Sequence, residues 1–199
     1  SAKKIIESYL LADERILSLE IAGNGLFLCL RKDGNETYYE VMVDRNYDAR
    51  FFRLNVNEET GNCYVSSLIG VTSKDEFKPS GVQVLTYDLA TIGQVSTKNV
   101  FFNEGVMSSK NEYLVNKGVQ ADKENVFVLL EEQWVTVTTS SSGSSSSSST
   151  TAGLIIVNAG KESTPQQRIS KLVTSSVHQD KLSFQSQLKD GRLYFVFNT

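Results

Sequence analysis

Few residues of this chain have the types and spacing that catalysis requires. His178 is the only histidine, so a Ser-His-Asp triad, a Cys-His pair or a histidine zinc site would have to use it. Ser175, Ser176 and Asp180 lie nearby in sequence, but such close neighbours rarely meet in triad geometry. We interpret His178 as a polar residue beyond a helix C-terminus, where a cation interacts favourably with the helix dipole.

Residues 44–48 begin like a calcium-binding loop, since oxygen-bearing side chains alternate at Asp44, Asn46 and Asp48. The match then fails, because Ala49 stands where the bend needs glycine and Asn55 stands where a bidentate glutamate belongs. We therefore expect a solvated turn between strands.

Two adjacent acidic residues, Glu131 and Glu132, precede Trp134. In a strand they point to opposite faces and could not form a general acid and base pair with each other. We expect them to guard an apolar strand against edge pairing. The chain also has no phosphate-binding loop and no dinucleotide fingerprint. The sequence thus predicts a protein that is not an enzyme and has no cofactor and no metal.

Two cysteines are too few for a disulfide framework and have no metal-site spacing. Cys29 lies in the apolar run 26–30 and is expected to be a small buried hydrophobe, while a single bridge to Cys63 is left open.

The charge pattern limits the partners. The net charge is -3, and the basic residues are spread along the chain, whereas a nucleic-acid surface needs several on one face. No apolar run is long enough for a transmembrane helix. We expect no nucleic acid and no membrane insertion. The compartment is left open, with a soluble protein in an extracellular or virion assembly as one reading.

Apolar runs separated by turn residues predict a mainly β protein of the α+β class, with one antiparallel β-sandwich or barrel-like domain over residues 1–199. A three-stranded meander is predicted over residues 15–43, with a tight turn at Asp33-Gly34. A second hairpin with the same turn type is predicted at Asp190-Gly191 near the C-terminus.

Two helices are predicted to flank the sheet. In residues 2–13 the apolar positions Ile5, Ile6, Tyr9 and Leu10 line one face of a short helix. Residues 165–177 have a capping residue and a proline at their start, followed by apolar residues on one face.

A hydroxyl tract from Thr136 to Thr151 is interrupted only by Val137 and Gly143. Serine buries little apolar surface to offset roughly 1–2 kcal/mol of backbone entropy per fixed residue. Such a segment becomes ordered when its backbone pairs in a sheet or with a neighbouring subunit. Because β-prone runs flank the tract, we expect residues 136–153 to form a Ser/Thr-rich hairpin arm or loop within the domain.

Three aromatic doublets stand at 38–39, 51–52 and 101–102. In a strand, one ring of each doublet faces the core and its neighbour faces solvent or a partner. Together with the arm they supply the candidates for assembly or ligand contact, which are Trp134, Thr136, Thr138, Ser144, Ser146, Ser148, Tyr38 and Phe52.

These features predict a non-enzymatic structural subunit that self-assembles into a tube, shell or fibre through β-hairpin and aromatic contacts. Components of phage or other viral particles are examples with this layout, and the expected partners are copies of the chain or other structural proteins. The alternative is a β-sandwich binding module for a carbohydrate or a surface ligand, with exposed rings such as Trp134 or Tyr38 as contacts.

Overall fold

A computed structural model describes residues 3–74, 76–103, 106, 113–139, 143, 145–160, 166–170 and 184–197. These residues form antiparallel β-sheets and contain no helix, which confirms a mainly β fold. The chain divides into two compact units, Ser1–Phe101 and Phe102–Thr199, and each is described by itself. That the two form one domain stays a prediction.

The first unit contains eight strands: β1 Lys4–Leu10, β2 Ile16–Ala22, β3 Gly25–Lys32, β4 Asn35–Glu40, β5 Asp48–Asn57, β6 Asn62–Ser73, β7 Glu76–Asp88 and β8 Gln94–Phe101. The second unit contains six: β9 Tyr113–Ala121, β10 Val126–Thr139, β11 Ser145–Asn158, β12 Gln167–Ser170, β13 Phe184–Lys189 and β14 Arg192–Phe197.

The strands of the first unit pair in chain order as two four-stranded meanders. The first sheet has the order β1-β2-β3-β4 and the second the order β5-β6-β7-β8. The turn between β3 and β4 has positive φ at Asp33 (50°) and Gly34 (77°), as the Asp-Gly pair predicts. The meander predicted over residues 15–43 is thereby confirmed as β2–β4.

Both sheets of the first unit contribute to one hydrophobic core. Alternate residues of β2, β3, β5, β6 and β7 face it, because successive side chains of a strand point to opposite sides. The buried members are Leu11, Leu17, Leu19, Leu26, Leu28, Val41, Leu54, Cys63, Val65, Leu85, Tyr87, Leu89 and Ile92.

The predicted N-terminal helix is wrong, because residues 4–10 form strand β1 paired with β2. The register shifts between Ile5 and Glu7, so that Ile6 is the extra residue of a bulge. Ile6 and Tyr9 both pack against the core, whereas Ile5 and Leu10 are exposed. The bulge thus puts residues three apart on one face of a strand, which imitates the spacing of a helix.

The side chains of β1 also join the two sheets. The Glu7 carboxylate accepts a hydrogen bond from the Leu54 backbone N–H at 2.5 Å, and its other oxygen lies 3.1 Å from Arg53 Nη1. The Tyr9 hydroxyl donates to the Leu54 carbonyl at 3.0 Å. Two side chains therefore satisfy both backbone groups of one residue of β5.

In the second unit, the third sheet has the order β12-β11-β10-β9. The hairpin β13-β14 turns at Asp190 (φ 51°) and Gly191 (φ 69°), which confirms the second Asp-Gly turn. One face of the third sheet packs against this hairpin through Leu129, Leu154, Ile156 and Phe184, with Phe127, Ile169, Leu193 and Phe195 around them.

The helix predicted over residues 165–177 is wrong where the structure describes it. Residues 167–170 form β12, and Ile169 lies opposite Leu154 of β11. Residues 165 and 171–177 lie outside the described residues. A strand forms here because it supplies hydrogen-bond partners for the second edge of β11. The free energy gained by this pairing exceeds the weak local preference of the segment for a helix.

We expect Glu7→Ala to lower the free energy of unfolding by about 1–3 kcal/mol, because the Leu54 N–H loses its acceptor. Glu7→Gln should cost less, since an amide oxygen can still accept that hydrogen bond. Urea unfolding of both variants measures the difference. The exposed Ser8 of the same strand is the control, and Ser8→Ala should stay within about 0.5 kcal/mol of the wild type. An equally small cost for Glu7→Ala would contradict the structural role of Glu7.

Candidate functional site

The hydroxyl tract forms the outer half of a long hairpin. β10 and β11 pair from Phe127 opposite Asn158 to Thr139 opposite Ser145. Their neighbours are shorter, since β9 reaches only to Gln133 and β12 only to Gly153. The six pairs from Trp134 opposite Thr150 to Thr139 opposite Ser145 therefore make a two-stranded ribbon, about 20 Å long at 3.3 Å per residue.

The register places five predicted contact residues in this ribbon. Thr136 lies opposite Ser148, Thr138 lies opposite Ser146, and Trp134 starts the ribbon. Ser144 lies outside the described residues. Each ribbon strand thus has its inner backbone partners in the same chain, and no described strand pairs with either outer edge of the ribbon.

The ribbon begins at a pair of buried carboxylates. Glu131 and Glu132 are buried in β10, between β9 and β11, and the register of β10 shifts immediately after Glu132. Lys117 Nζ lies 2.7 Å from a Glu131 oxygen, and the Gln133 amide donates to the other at 3.2 Å. The expectation that these two residues guard a strand edge is wrong, because β10 is a central strand whose edges are already paired.

A second polar arrangement lies on the face of the first sheet that points away from the core. Ser18, Glu20 and Cys29 are each 0% exposed there. Arg31 holds this layer together. Its Nη1 donates to Ser18 Oγ at 2.6 Å, and its Nη2 lies 2.6 Å from Glu20 Oε1, which also accepts from the Ser18 hydroxyl at 2.6 Å. The buried Glu20 carboxylate is thereby paired and hydrogen-bonded through one of its two oxygens, and its Oε2 is buried with no hydrogen-bond partner.

Longer side chains cover the buried residues Ser18, Glu20 and Cys29 on the solvent side. Arg31 Nε donates to Glu36 Oε1 at 2.8 Å, and the Tyr38 hydroxyl donates to Glu36 Oε2 at 2.6 Å. Lys3 Nζ donates to the Tyr38 hydroxyl at 2.5 Å and lies 3.4 Å from Glu36 Oε2. The same ammonium lies beside the Tyr38 hydroxyl, 4.6 Å from the ring centroid, and the Phe27 ring meets that ring at an interplanar angle of 87°. We call Lys3, Ser18, Glu20, Arg31, Glu36 and Tyr38 the sheet-face network.

These contacts change the acidity of the groups involved. The hydrogen bond from Tyr38, together with those from Arg31 and Lys3, lowers the pKa of Glu36 to about 2. The hydrogen bond with Tyr38 raises the pKa of Lys3. Desolvation raises the pKa of the Cys29 thiol. At neutral pH the network therefore holds Glu36 as a carboxylate and Lys3 as an ammonium.

Sequence reasoning identified Tyr38 but not the residues around it. Ser18 and Glu20 interrupt an apolar strand at every second position, and Arg31 and Glu36 flank the Asp-Gly turn symmetrically. That pattern puts four polar residues on one sheet face, and this was the signal available in the sequence.

The aromatic doublets follow the predicted alternation in two cases. Tyr39 packs against the core and Tyr38 is 37% exposed, while Phe52 packs against the core and Phe51 is 48% exposed. Phe51 has a φ of 58° at the bulge of β5, and its ring lies 6.4 Å from that of Phe77. The structure thus places Phe51, rather than the candidate Phe52, at the surface.

The other residues considered for chemistry have structural partners. Asp44 accepts hydrogen bonds from Asn46 and Asn99, and Asp48 accepts one from the Thr72 N–H. No group of three or more potential metal ligands occurs among the described residues. His178 lies outside them, and both cysteines are free thiols. The described part of the chain also contains no helix that could cross a membrane.

The chain has no match among protein-family models, curated proteins or solved structures.

We expect Glu36 to make stability depend on pH. Its pKa is about 2 in the folded protein and 4.5 for an unperturbed glutamate, so its contribution is fully present above pH 4.5 and is lost as the pH falls toward 2. The difference in unfolding free energy between wild type and Glu36→Gln should therefore shrink between pH 5 and pH 2.5. Urea unfolding at several pH values measures it.

Glu40 supplies the control, since it is an exposed carboxylate of the same strand. Glu40→Gln should show a small difference that changes little over this range. If the difference in unfolding free energy between wild type and Glu36→Gln stays constant down to pH 2.5, the Glu36 carboxylate is not stabilised by these contacts.

Proposed function

We propose that this protein is a non-enzymatic structural subunit that assembles with copies of itself through the ribbon 134–139/145–150. The observation that carries the proposal is that this ribbon extends past β9 and β12, with no described strand on its outer edges. An extended edge of this kind is a template for adding a strand from another chain.

The energetics of the ribbon favour a partner. A two-stranded hairpin alone is marginally stable in water, and the Ser/Thr composition provides little apolar surface. The four-stranded part of the sheet fixes the ribbon at one end, so less conformational entropy is lost when another strand docks on it. Hydrogen bonds to a second copy would then stabilise both the contact and the ribbon.

Exposed aromatic rings supply a second kind of contact. Tyr38, Phe51 and Phe101 are each more than one third exposed in strands of the first unit. Aromatic residues are enriched in protein interfaces because they bury a large area with few rotatable bonds. We also propose that the two sheets of this unit form a β-sandwich, which the core shared by both sheets supports.

We expect the wild-type protein to form oligomers whose mass increases with concentration, measured by light scattering after size exclusion. The test variant replaces residues 136–148 with Asn-Gly, a two-residue hairpin turn that leaves Val135 opposite Ser149. This variant should be monomeric and should still unfold in one cooperative thermal transition, which shows that the remaining sheet is folded. A strictly monomeric wild type at high concentration overturns the proposal, as does a shortened variant that still assembles.

Ser146→Pro and Ser147→Pro form a matched pair, because adjacent strand residues point their N–H groups to opposite edges. The substitution on the outer edge should weaken assembly while the ribbon persists, and the other should disrupt the ribbon and abolish assembly with it. Assembly at the wild-type level in both variants would contradict edge pairing.

A further inference from the structure

A lysine, a glutamate and a glutamine meet at one buried point of the third sheet. Lys117 Nζ lies 2.7 Å from Glu131 Oε2, and the Gln133 side-chain amide donates to Glu131 Oε1 at 3.2 Å. An amine and a carboxamide thus contact the two oxygens of one carboxylate. We infer that this site forms an isopeptide bond between Lys117 and Gln133, with Glu131 as the proton carrier, and that the bond joins β9 to β10 where the ribbon begins.

A bulge in β9 brings the three groups together. The pairing of β9 with β10 skips Lys117, which is therefore the extra residue of the bulge. The bulge is fixed by Gly118, which has a φ of 116° and whose N–H donates to Asn116 Oδ1 at 3.0 Å. On β10, Glu131 and Gln133 are two residues apart, so their side chains point to the same side of the strand. The backbone thus positions the amine, the acid and the amide before any reaction.

The surroundings of the site are apolar. The side chains of Lys117 and Glu131 are only 8% and 1% exposed. Glu131 lies opposite Leu154 of β11, and Leu129 precedes it on the same side of β10, and both leucines are buried in the core of the second unit. A buried ion pair contributes little net stability compared with apolar side chains, because both charges lose their water. A reaction that replaces these charges with neutral groups is therefore favoured here.

Each oxygen of Glu131 faces the group that it serves. Oε2 takes one proton from Lys117 Nζ, and the resulting amine attacks Cδ of Gln133. The Nζ–Cδ bond forms as the Cδ–Nε2 bond breaks, and a second proton moves from Nζ to Nε2 through the carboxyl group, whose Oε1 contacts Nε2. The nitrogen leaves as ammonia, and Glu131 remains protonated. The step consumes no oxidant and no other reactant, and it removes both buried charges.

The test is the intact mass of the purified, folded full chain, measured by electrospray mass spectrometry. We expect most wild-type molecules to be lighter than the sequence mass by one ammonia. A proteolytic digest should contain a branched peptide that joins the segment with Lys117 to the segment with Gln133. A wild type at the full sequence mass overturns the inference. A loss of ammonia that maps only to Asn24-Gly25, where a succinimide would give the same mass, also overturns it.

Glu131→Gln and Glu132→Gln form a matched pair, since both carboxylates are buried and adjacent strand residues point to opposite faces. Glu131→Gln keeps both reacting groups but lacks the proton carrier, so it should have its full sequence mass, as should Lys117→Met. Glu132→Gln should still be lighter by one ammonia. A branched peptide in Glu131→Gln overturns the role of Glu131. Circular dichroism checks that each variant is folded, and the wild-type mass decides the inference even where a variant is not. None of these outcomes depends on whether the protein assembles.

Discussion

The backbone groups at strand edges need hydrogen-bond partners, and this need organises both units of the protein. In the first unit, the N–H and carbonyl of Leu54 are satisfied by the side chains of Glu7 and Tyr9 rather than by another strand. In the second unit, β12 supplies the partners along one edge of β11. A buried backbone group without a partner costs about as much as a whole hydrogen bond contributes, so these local solutions determine which elements form.

Buried carboxylates likewise need partners, in their case a basic side chain that balances their charge. Glu20 in the first unit and Glu131 in the second are almost completely buried, and each has a basic side chain within 2.7 Å. Removing the basic partner would leave a buried carboxylate with neither a counter-charge nor water around it. Because that state is costly, the two side chains stay in the orientation that keeps them paired. In the sheet-face network this effect extends outward, since Arg31 is held by Glu20 and in turn holds Glu36. The buried Glu20 thus helps to fix the exposed Glu36 through Arg31, which surface contacts alone would do less well.

The sequence predicted those parts of the fold that depend on local rules. The Asp-Gly turns, the meander of β2–β4 and the pairing of β10 with β11 follow from turn chemistry and from apolar, β-prone runs. The N-terminal helix failed because a bulge at Ile6 changes the period of a strand, and a bulge has no reliable signature in one sequence. Strands β8 and β9 could not be assigned because their polar and apolar residues do not alternate regularly.

The sheet-face network could not be predicted as a site, since its members come from three strands and from the residue before β1. Each of them has a polar side chain that is typical of a solvated face. Only the pairing register brings Ser18 opposite Cys29 and Arg31 opposite Glu36, and that register depends on the turns at both ends of β3.

In the ribbon, the pairing register does not follow from the side chains, because a run of identical residues cannot specify its own register. A shift of one position along a partner strand leaves the same side-chain types in contact within residues 144–149. Within the chain, the register shift after Glu132 and the positive φ of Gly143 (81°) set the pairing from both ends of the hairpin. Neither feature acts on the outer edges, so an assembly through the ribbon must take its register from contacts outside the serine run, and the exposed aromatic residues are suited to that role.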